Sequence, residues 1–446
     1  MADYDFLIIG AGTGGMAAAK KAANYGMKVA VIEKEEMGGT CLNRGCTPKK
    51  LMVYAADFAL KESLARSYSW QECQRQIDWS GFMQNVQSRL DTIRNSFLKT
   101  FEEKGIDLIY GEAKFTGDRT VKVGDREITA DKILIAVGGH PIKPDFPGSD
   151  LAITSRGMFQ LDKIPEKIAI VGGGYIGVEF ASMMHAFGSE VVFMDTSELI
   201  LSGFDDDLRK TVQQGLIDRG IEFISETTAE KIEPDGDRLK LHLDSGKTVV
   251  ADKVLLATGR APSTKTLDLD KAGVKTGDKG EIKVDEYCRT QNQHIYAVGD
   301  CIDRIPLTPV AKAEAQAVVE TLFGKSPKSI DYSSVPSAVF SRPEAATYGL
   351  SEAEARDKYG EVKCHCDRTT PMLYSLAKDD DQEEVLIKLV TAGEEEKIVG
   401  VHMVGEHAAD MIQCLGIAIR KGITKQELDD SFGIHPTIGE EFVTMD

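Results

Sequence analysis

The stretch Phe6-Leu-Ile-Ile-Gly-Ala-Gly-Thr-Gly-Gly15 decides how the rest of the chain is read. Residues 6 to 9 are apolar without alternation, as in a buried strand, and the glycines that follow suit a tight turn. Met16 then opens an alanine-rich helical stretch to about Gly26, and a second strand, Val29 to Ile32, ends in the acid Glu33. This is a βαβ unit around Gly10, Gly12 and Gly15, with Thr13 and Gly14 between them, the spacing of a dinucleotide-binding turn. Without side chains, such a turn lets a pyrophosphate sit on the helix N-terminus, where unbonded N–H groups and the dipole favour anions. The acid at the strand end accepts hydrogen bonds from the adenosine ribose.

The pattern recurs. Ile168 to Val171 leads into Gly172-Gly-Gly174-Tyr175-Ile176-Gly177, a helical stretch follows to about Phe187, and Val191 to Met194 ends in Asp195. One glycine pattern is a weak signal, but two with the same surroundings form an internal repeat. Ala136-Val-Gly138-Gly139 and Ala257-Thr-Gly259-Arg260 read as returns from the two units, and Ile295 to Asp300 puts a carboxylate at a further strand end. After about residue 330 the punctuation changes. Strands are expected near 337–340, 385–390 and 398–403, and helices over 408–421 and 425–432. The fold class is therefore α/β, with two Rossmann-like dinucleotide-binding domains and a C-terminal α+β domain. The limits read as 1–140 and 265–330 for the first domain, 141–264 for the second and 331–446 for the last.

At 446 residues, with 42% hydrophobic and 28% charged residues, the chain suits several globular domains. A net charge of −18 argues against a nucleic-acid partner. Acidic runs at 379–381 and 394–396 read as solvated loops. No apolar run approaches a membrane span and the start lacks a signal-peptide pattern, so a reducing cytoplasm is the expected compartment.

Against that background, Gly38-Gly39-Thr40-Cys41-Leu-Asn-Arg-Gly45-Cys46-Thr-Pro48-Lys49-Lys50 sets two cysteines five positions apart. They are bystanders among eight cysteines or a working dithiol. The closing run Ile434-His435-Pro-Thr-Ile-Gly-Glu440-Glu-Phe-Val-Thr-Met-Asp446 is the most specific further signal. With these motifs the whole chain resembles the FAD-dependent pyridine nucleotide–disulfide oxidoreductases. Pro48-Lys-Lys and the ending are similar to the glutathione reductase branch more than to dihydrolipoamide dehydrogenases, which stand as the alternative. A mercuric reductase is disfavoured, because no cysteine pair ends the chain.

The resemblance implies a homodimer holding FAD and using NADH or NADPH to reduce a low-molecular-weight, glutathione-type disulfide. It makes Cys41 and Cys46 a redox disulfide, Cys46 nearer the flavin and Cys41 facing the substrate. Five positions in one regular helix would hold the two apart, so Gly45 must relax the backbone, while Pro48 suits a first helical turn and leaves Cys46 at a helix N-terminus that favours its thiolate. His435 with Glu440 becomes the acid–base pair supplied by the other subunit, and Lys49 with Glu179 the ion pair beside the flavin (Lys50 the fallback). Cofactor contacts fall on Gly10, Gly12, Thr13, Gly14, Gly15, Glu33, Gly39, Thr40, Lys49, Ala113, Gly138, Asp300 and Thr308, and on Gly172, Gly174, Tyr175, Ile176, Glu179, Asp195 and Gly259. The remaining cysteines, Cys73, Cys288, Cys301, Cys364, Cys366 and Cys414, read as buried apolar residues or bystanders. Cys364-His-Cys366 lacks a second ligand pair at zinc spacing, so no metal is expected.

Two departures from the family matter. Glutathione reductases usually hold the NADPH 2′-phosphate with two arginines; here the matching positions are Thr196 and Ser202, and the strand ends in Asp195, so NADH is expected. The substrate positions look like Lys20, Arg94 and Gln316, a redistribution of charge compatible with glutathione disulfide, its amide or another small thiol. A flavin-bound sensor without turnover is disfavoured by the intact Cys41, Cys46, His435 and Glu440.

Overall fold

The structure is a computed structural model that describes residues 2–71, 76–378 and 382–445; Cys73 and the acidic run 379–381 lie outside the described residues. The chain divides into two compact units. One comprises Met1–Leu51, Ser80–Ile142 and Gly259–Tyr332, the other Met52–Trp79, Lys143–Thr258 and Ser333–Asp446.

The first unit is built on a parallel sheet in the order Asp107–Tyr110, Val29–Glu33, Tyr4–Ile9, Arg126–Ile135, Ile295–Ala297. Phe6 to Ile9 and Ile133 to Ile135 are buried throughout, which is why they read as continuous apolar runs rather than alternating ones. Arg126–Ile135 is ten residues long. Its first half pairs with Thr120–Val123 in an antiparallel meander that also takes in Ala113–Gly117. Tyr4–Ile9, Arg126–Ile135 and Ile295–Ala297 run the same way. The loops after them, carrying Gly10, Gly138 and Asp300, therefore gather at the carboxyl end of one sheet, where open parallel sheets take their ligands.

In the second unit, Glu222–Ile224, Glu190–Met194, Lys167–Val171 and Lys253–Leu256 form another parallel sheet, flanked by an antiparallel one of Ala229–Asp235, Arg238–Leu243 and Thr248–Ala251. The C-terminal part is a five-stranded antiparallel sheet ordered Ser337–Val339, Ala345–Gly349, Lys397–Val404, Val385–Ala392, Val362–Thr369. The helices Ala408–Ile419 and Lys425–Asp429 bury their apolar faces with it. The two dinucleotide folds and the α+β part are as the sequence implied. These two helices are shorter than expected. The second stops before Phe432, whose ring is fully exposed among the described residues.

One ionic cluster ties the two parts of this unit together. Lys388, on the interior strand Val385–Ala392 and only 2% exposed, donates to Asp205 at 3.0 Å, Asp207 at 2.6 Å and Glu352 at 2.8 Å. Asp205 caps the helix Asp206–Asp218 by accepting from Asp207 N. Glu352 opens the helix Glu352–Tyr359. Lys388, and then Arg356, hold the Glu352 carboxyl down at about 2. Its contribution to stability is therefore complete above 4.5 and is lost as pH falls from there toward about 2. Lys388→Met, which leaves the buried Asp205 carboxylate without its cation, should lower stability by about 3–5 kcal/mol. Chemical denaturation followed by far-UV circular dichroism measures this, and an unchanged midpoint would show that the cluster carries no net stabilisation.

Candidate functional site

Both glycine turns require their glycines. Gly10 has φ +105°, and a Cβ there would lie 2.4 Å from Ala136 O; one on Gly15 would lie 1.9 Å from Gly10 O. Gly172 and Gly177 repeat the arrangement, with φ +112° and contacts of 2.5 Å to Ala257 O and 2.0 Å to Gly172 O. The strand-end acids also match. Glu33 accepts from Ala11 N at 2.7 Å and from Glu35 N at 2.8 Å. Burial lifts its carboxyl above the usual range, against the N–H groups of Ala11 and Lys34. Asp195 accepts from Gly173 N and, at 2.8 Å, from Ser197 N. Each turn is thus a backbone cradle anchored by an acid. The first, with Thr13 and the buried Gly14 at the head of the helix Thr13–Asn24, has the shape that a dinucleotide pyrophosphate and ribose require.

The cysteine segment docks on the first turn. Gly38 N donates to Ala11 O at 2.9 Å, and a Cβ on Gly39 would lie 2.7 Å from Gly12 Cα. Asn43 Nδ2 staples the approach by donating to the carbonyls of Glu36, Met37 and Gly39. Cys41 lies in the short helix Gly39–Arg44, and Cys46 begins the helix Cys46–Ser67. The break falls at Gly45, where a Cβ would meet Thr40 O at 2.8 Å. Splitting the segment into two helices is what brings two sulfurs five positions apart within hydrogen-bonding reach.

The two thiols are strongly unequal. The Cys41 hydrogen bond, then the Thr308 hydroxyl and the Lys49 ammonium, pull Cys46 down to about 6 against partial desolvation of its sulfur. The first turn of a 22-residue helix supplies further positive potential. Cys41 is pushed upward by the Cys46 thiolate it donates to and by burial; Thr308 and Thr13 act in the other direction. Thr308 Oγ1, at the head of the helix Thr308–Phe323, lies 3.3 Å from Cys46 Sγ.

Other expected residues fall as follows. Asp300 Oδ2 accepts from Arg260 Nη2 at 3.1 Å, and the same nitrogen donates to Gly139 O at 2.9 Å, so Arg260 orients the acid. Gly138 O accepts from Ser263 N at 2.9 Å, and Ala113 is buried at the start of its strand. Lys20 Nζ lies over the Phe97 ring at 5.3 Å; burial, then Lys312 and Lys104, lower its pKa. Arg94 is engaged by Glu36 and Asp91 and donates to Asn43 at 2.9 Å. Gln316 is exposed, its carbonyl accepting from Lys21.

The second unit carries Tyr175, 41% exposed at the head of the helix Tyr175–Ala186, with Gly174 and Ile176 beside it. Glu179 in that helix is buried and accepts from Phe340 N at 2.9 Å. Gly259, which opens the last stretch of the first unit, accepts through its carbonyl from Ile142 N at 3.0 Å. Thr196 and Ser202 are exposed. Arg209 donates to Ile200 O at 2.8 Å, Leu199 O at 2.9 Å and Asp206 at 2.8 Å. That clamp gives no sequence signal, because its acceptors are loop carbonyls. His435 Nδ1 lies 3.0 Å from Glu440 Oε1, with the imidazole 79% exposed.

Residues 4–315 match the family described as pyridine nucleotide-disulphide oxidoreductase, and residues 335–446 its dimerisation domain. The chain is 43% identical to a glutathione reductase of Nostoc sp., covering 99% of both chains. It is 39% identical to one of Burkholderia cepacia, covering 99% of this chain and 98% of the relative. Among solved structures, the HOCl-induced flavoprotein disulfide reductase RclA of Escherichia coli, in its Cu(II) complex, superposes with a TM-score of 0.89 at 27% identity, covering 100% and 99% of the two chains.

The inequality of the thiols is measurable. In the reduced protein, thiolate absorbance at 240 nm should rise with a midpoint near the value given for Cys46, about 6, and disappear in Cys46→Ser. Thr308→Val should move the midpoint upward by up to about one unit, since one hydrogen bond to a charged sulfur is lost. A midpoint in the ordinary thiol range would refute this electrostatic arrangement.

Proposed function

The chain belongs to the pyridine nucleotide–disulphide oxidoreductase family, and from that premise we propose that it is an FAD-dependent reductase of a low-molecular-weight disulfide, glutathione disulfide first, driven by NADH. The observation that carries the reading is the unequal pair of thiols docked by Gly39 on the Gly12 turn. FAD supplies the two-electron relay between the nicotinamide and this pair. The protein's own groups account for the rest.

Cys46 is kept as a thiolate by Cys41, Thr308 and Lys49. Cys41 needs a base to become nucleophilic, and the exposed His435 imidazole, oriented by Glu440, suits that task when supplied by a second copy of the chain. Deprotonated Cys41 attacks one sulfur of the substrate, forming a mixed disulfide and releasing a thiolate that takes the proton held on His435. The Cys46 thiolate then attacks the Cys41 sulfur, expelling the second substrate thiolate, which takes a proton from solvent, and closing the Cys41–Cys46 disulfide. One dithiol is oxidised and one disulfide reduced. Lys20, near Lys312, is the cationic ground for a substrate carboxylate, whereas Arg94 is engaged by its own acids.

The preference for NADH rests on the second turn. Asp195 stands where a ribose hydroxyl would donate, and Thr196 and Ser202 offer a 2′-phosphate no charge. Arg209, the nearest alternative cation in sequence, is held by two loop carbonyls and Asp206. A phosphate beside an unneutralised carboxylate loses tenfold in affinity for every ~1.4 kcal/mol of repulsion.

Steady-state reduction of glutathione disulfide by the purified, yellow protein is the direct test. kcat/KM with NADH should exceed that with NADPH by at least about tenfold, and Asp195→Ala with Thr196→Arg and Ser202→Arg should shift the ratio toward NADPH. A wild-type preference for NADPH would sink the cofactor assignment. A protein that turns over dihydrolipoamide but not glutathione disulfide would sink the substrate assignment.

His435→Ala should slow disulfide turnover by roughly 10²–10⁴-fold while leaving reduction of the flavin by nicotinamide intact. Stopped-flow separation of the two half-reactions decides it. Equal slowing of both would remove His435 from the acid–base role.

A further inference from the structure

We propose that Glu314 is a positioning residue for the flavin dinucleotide, acting through the turn that carries Asp300; the proposal rests on the FAD reading above. Glu314 lies in the helix Thr308–Phe323 and is 1% exposed. Its Oε2 accepts from Gly299 N at 2.7 Å, and its Oε1 accepts from the Tyr332 hydroxyl at 2.7 Å. The Tyr332 oxygen in turn accepts from Arg304 Nη1 at 2.9 Å, while Arg304 Nη2 donates to Asp285 O at 2.8 Å. A buried carboxylate is costly, and an apolar residue would pack a helix face at lower cost. What the charge adds is a hydrogen bond to Gly299 N–H about twice as strong as a neutral acceptor gives.

Gly299 is the residue that such a grip controls. It has φ +76°, in the left-handed region, and begins the turn Gly299–Ile302 that presents Asp300 at the carboxyl end of the strand Ile295–Ala297. Arg260 fixes the Asp300 side chain from the other direction. The helix that carries Glu314 begins with Thr308, which touches the Cys46 sulfur. One carboxylate therefore sets the Asp300 turn in register with the helix end that meets the reactive thiolate. Asp300 faces the same end of the sheet as the Gly10 turn, so an error at Gly299 would be transmitted to a dinucleotide seated there.

The test uses the holoenzyme and reads FAD itself. Dissociation constants come from recovery of flavin fluorescence on dilution, alongside the position of the visible flavin bands. Glu314→Gln should weaken FAD binding about tenfold and shift the bands, and Tyr332→Phe should weaken it about threefold. Combined with Asp300→Asn, Glu314→Gln should add little to the loss caused by Asp300→Asn alone, because both act through one contact. Additive losses, or wild-type FAD affinity in Glu314→Gln, overturn the proposal. Should Glu314→Gln fail to fold, the same cycle with Tyr332→Phe decides in its place. A wild-type protein that binds no FAD would instead overturn the reading on which this rests.

Discussion

The contact between two glycine backbones, Gly12 and Gly39, is the constraint on which the site depends. A methyl group at Gly39 would lie 2.7 Å from Gly12 Cα, and Gly39 has φ +60°, so the cysteine segment can lie on the nucleotide turn only if position 39 carries no side chain. The contact is short because the chain passes directly over the head of the helix Thr13–Asn24, with Gly38 N bonded to Ala11 O. From it follows the placement of Cys41 beside Thr13 and of Cys46 beside Thr308. It also explains the break at Gly45, since a continuous helix from Gly39 would carry Cys46 away from both hydroxyls.

Glu33 and Asp195 share one device. Each closes its strand and accepts a hydrogen bond from the N–H of the residue after the first glycine of its turn. The turn is therefore held in shape before any ligand arrives, which reduces the ordering that binding must impose. The loops beyond the two acids differ. After Asp195, Arg209 and Gln213 tie down residues 198–200, Gln213 accepting from Ile200 N at 3.1 Å. Charge that another arrangement would offer to a ligand is here used within the loop.

The parts legible in the sequence are those whose cause is local. The two glycine turns, their strands and terminal acids, and the pairing of His435 with Glu440 over five residues all follow from neighbouring positions. Of the helix Cys46–Ser67 only the start is legible, from Pro48 in its first turn, and Trp79–Glu103 carries no comparably simple signal. What stayed hidden depends on distant partners. Lys388 meets Asp205 across 183 residues, Cys46 meets Thr308 across 262, and Glu314 finds Gly299 only because a helix folds back over a strand end. The early end of the short helix Lys425–Asp429, before Phe432, has the opposite origin, since that ring is fully exposed among the described residues.

The interrupted topology of the first unit bears on how a ribosome must deliver it. Arg126–Ile135 lies between Tyr4–Ile9 and Ile295–Ala297, yet the last of these strands is made roughly 160 residues later. At about 5–20 residues per second, the edge at Ile133, Leu134 and Ile135 waits about 8–30 s for its neighbour. During that interval a wholly apolar strand edge, destined to be buried, stands unpaired on the nascent chain, a template for strands of other molecules. The edge is covered only when Ile295–Ala297 pairs with it, so the order in which the strands are made, and not only the stability of the finished sheet, bears on how the first unit is reached.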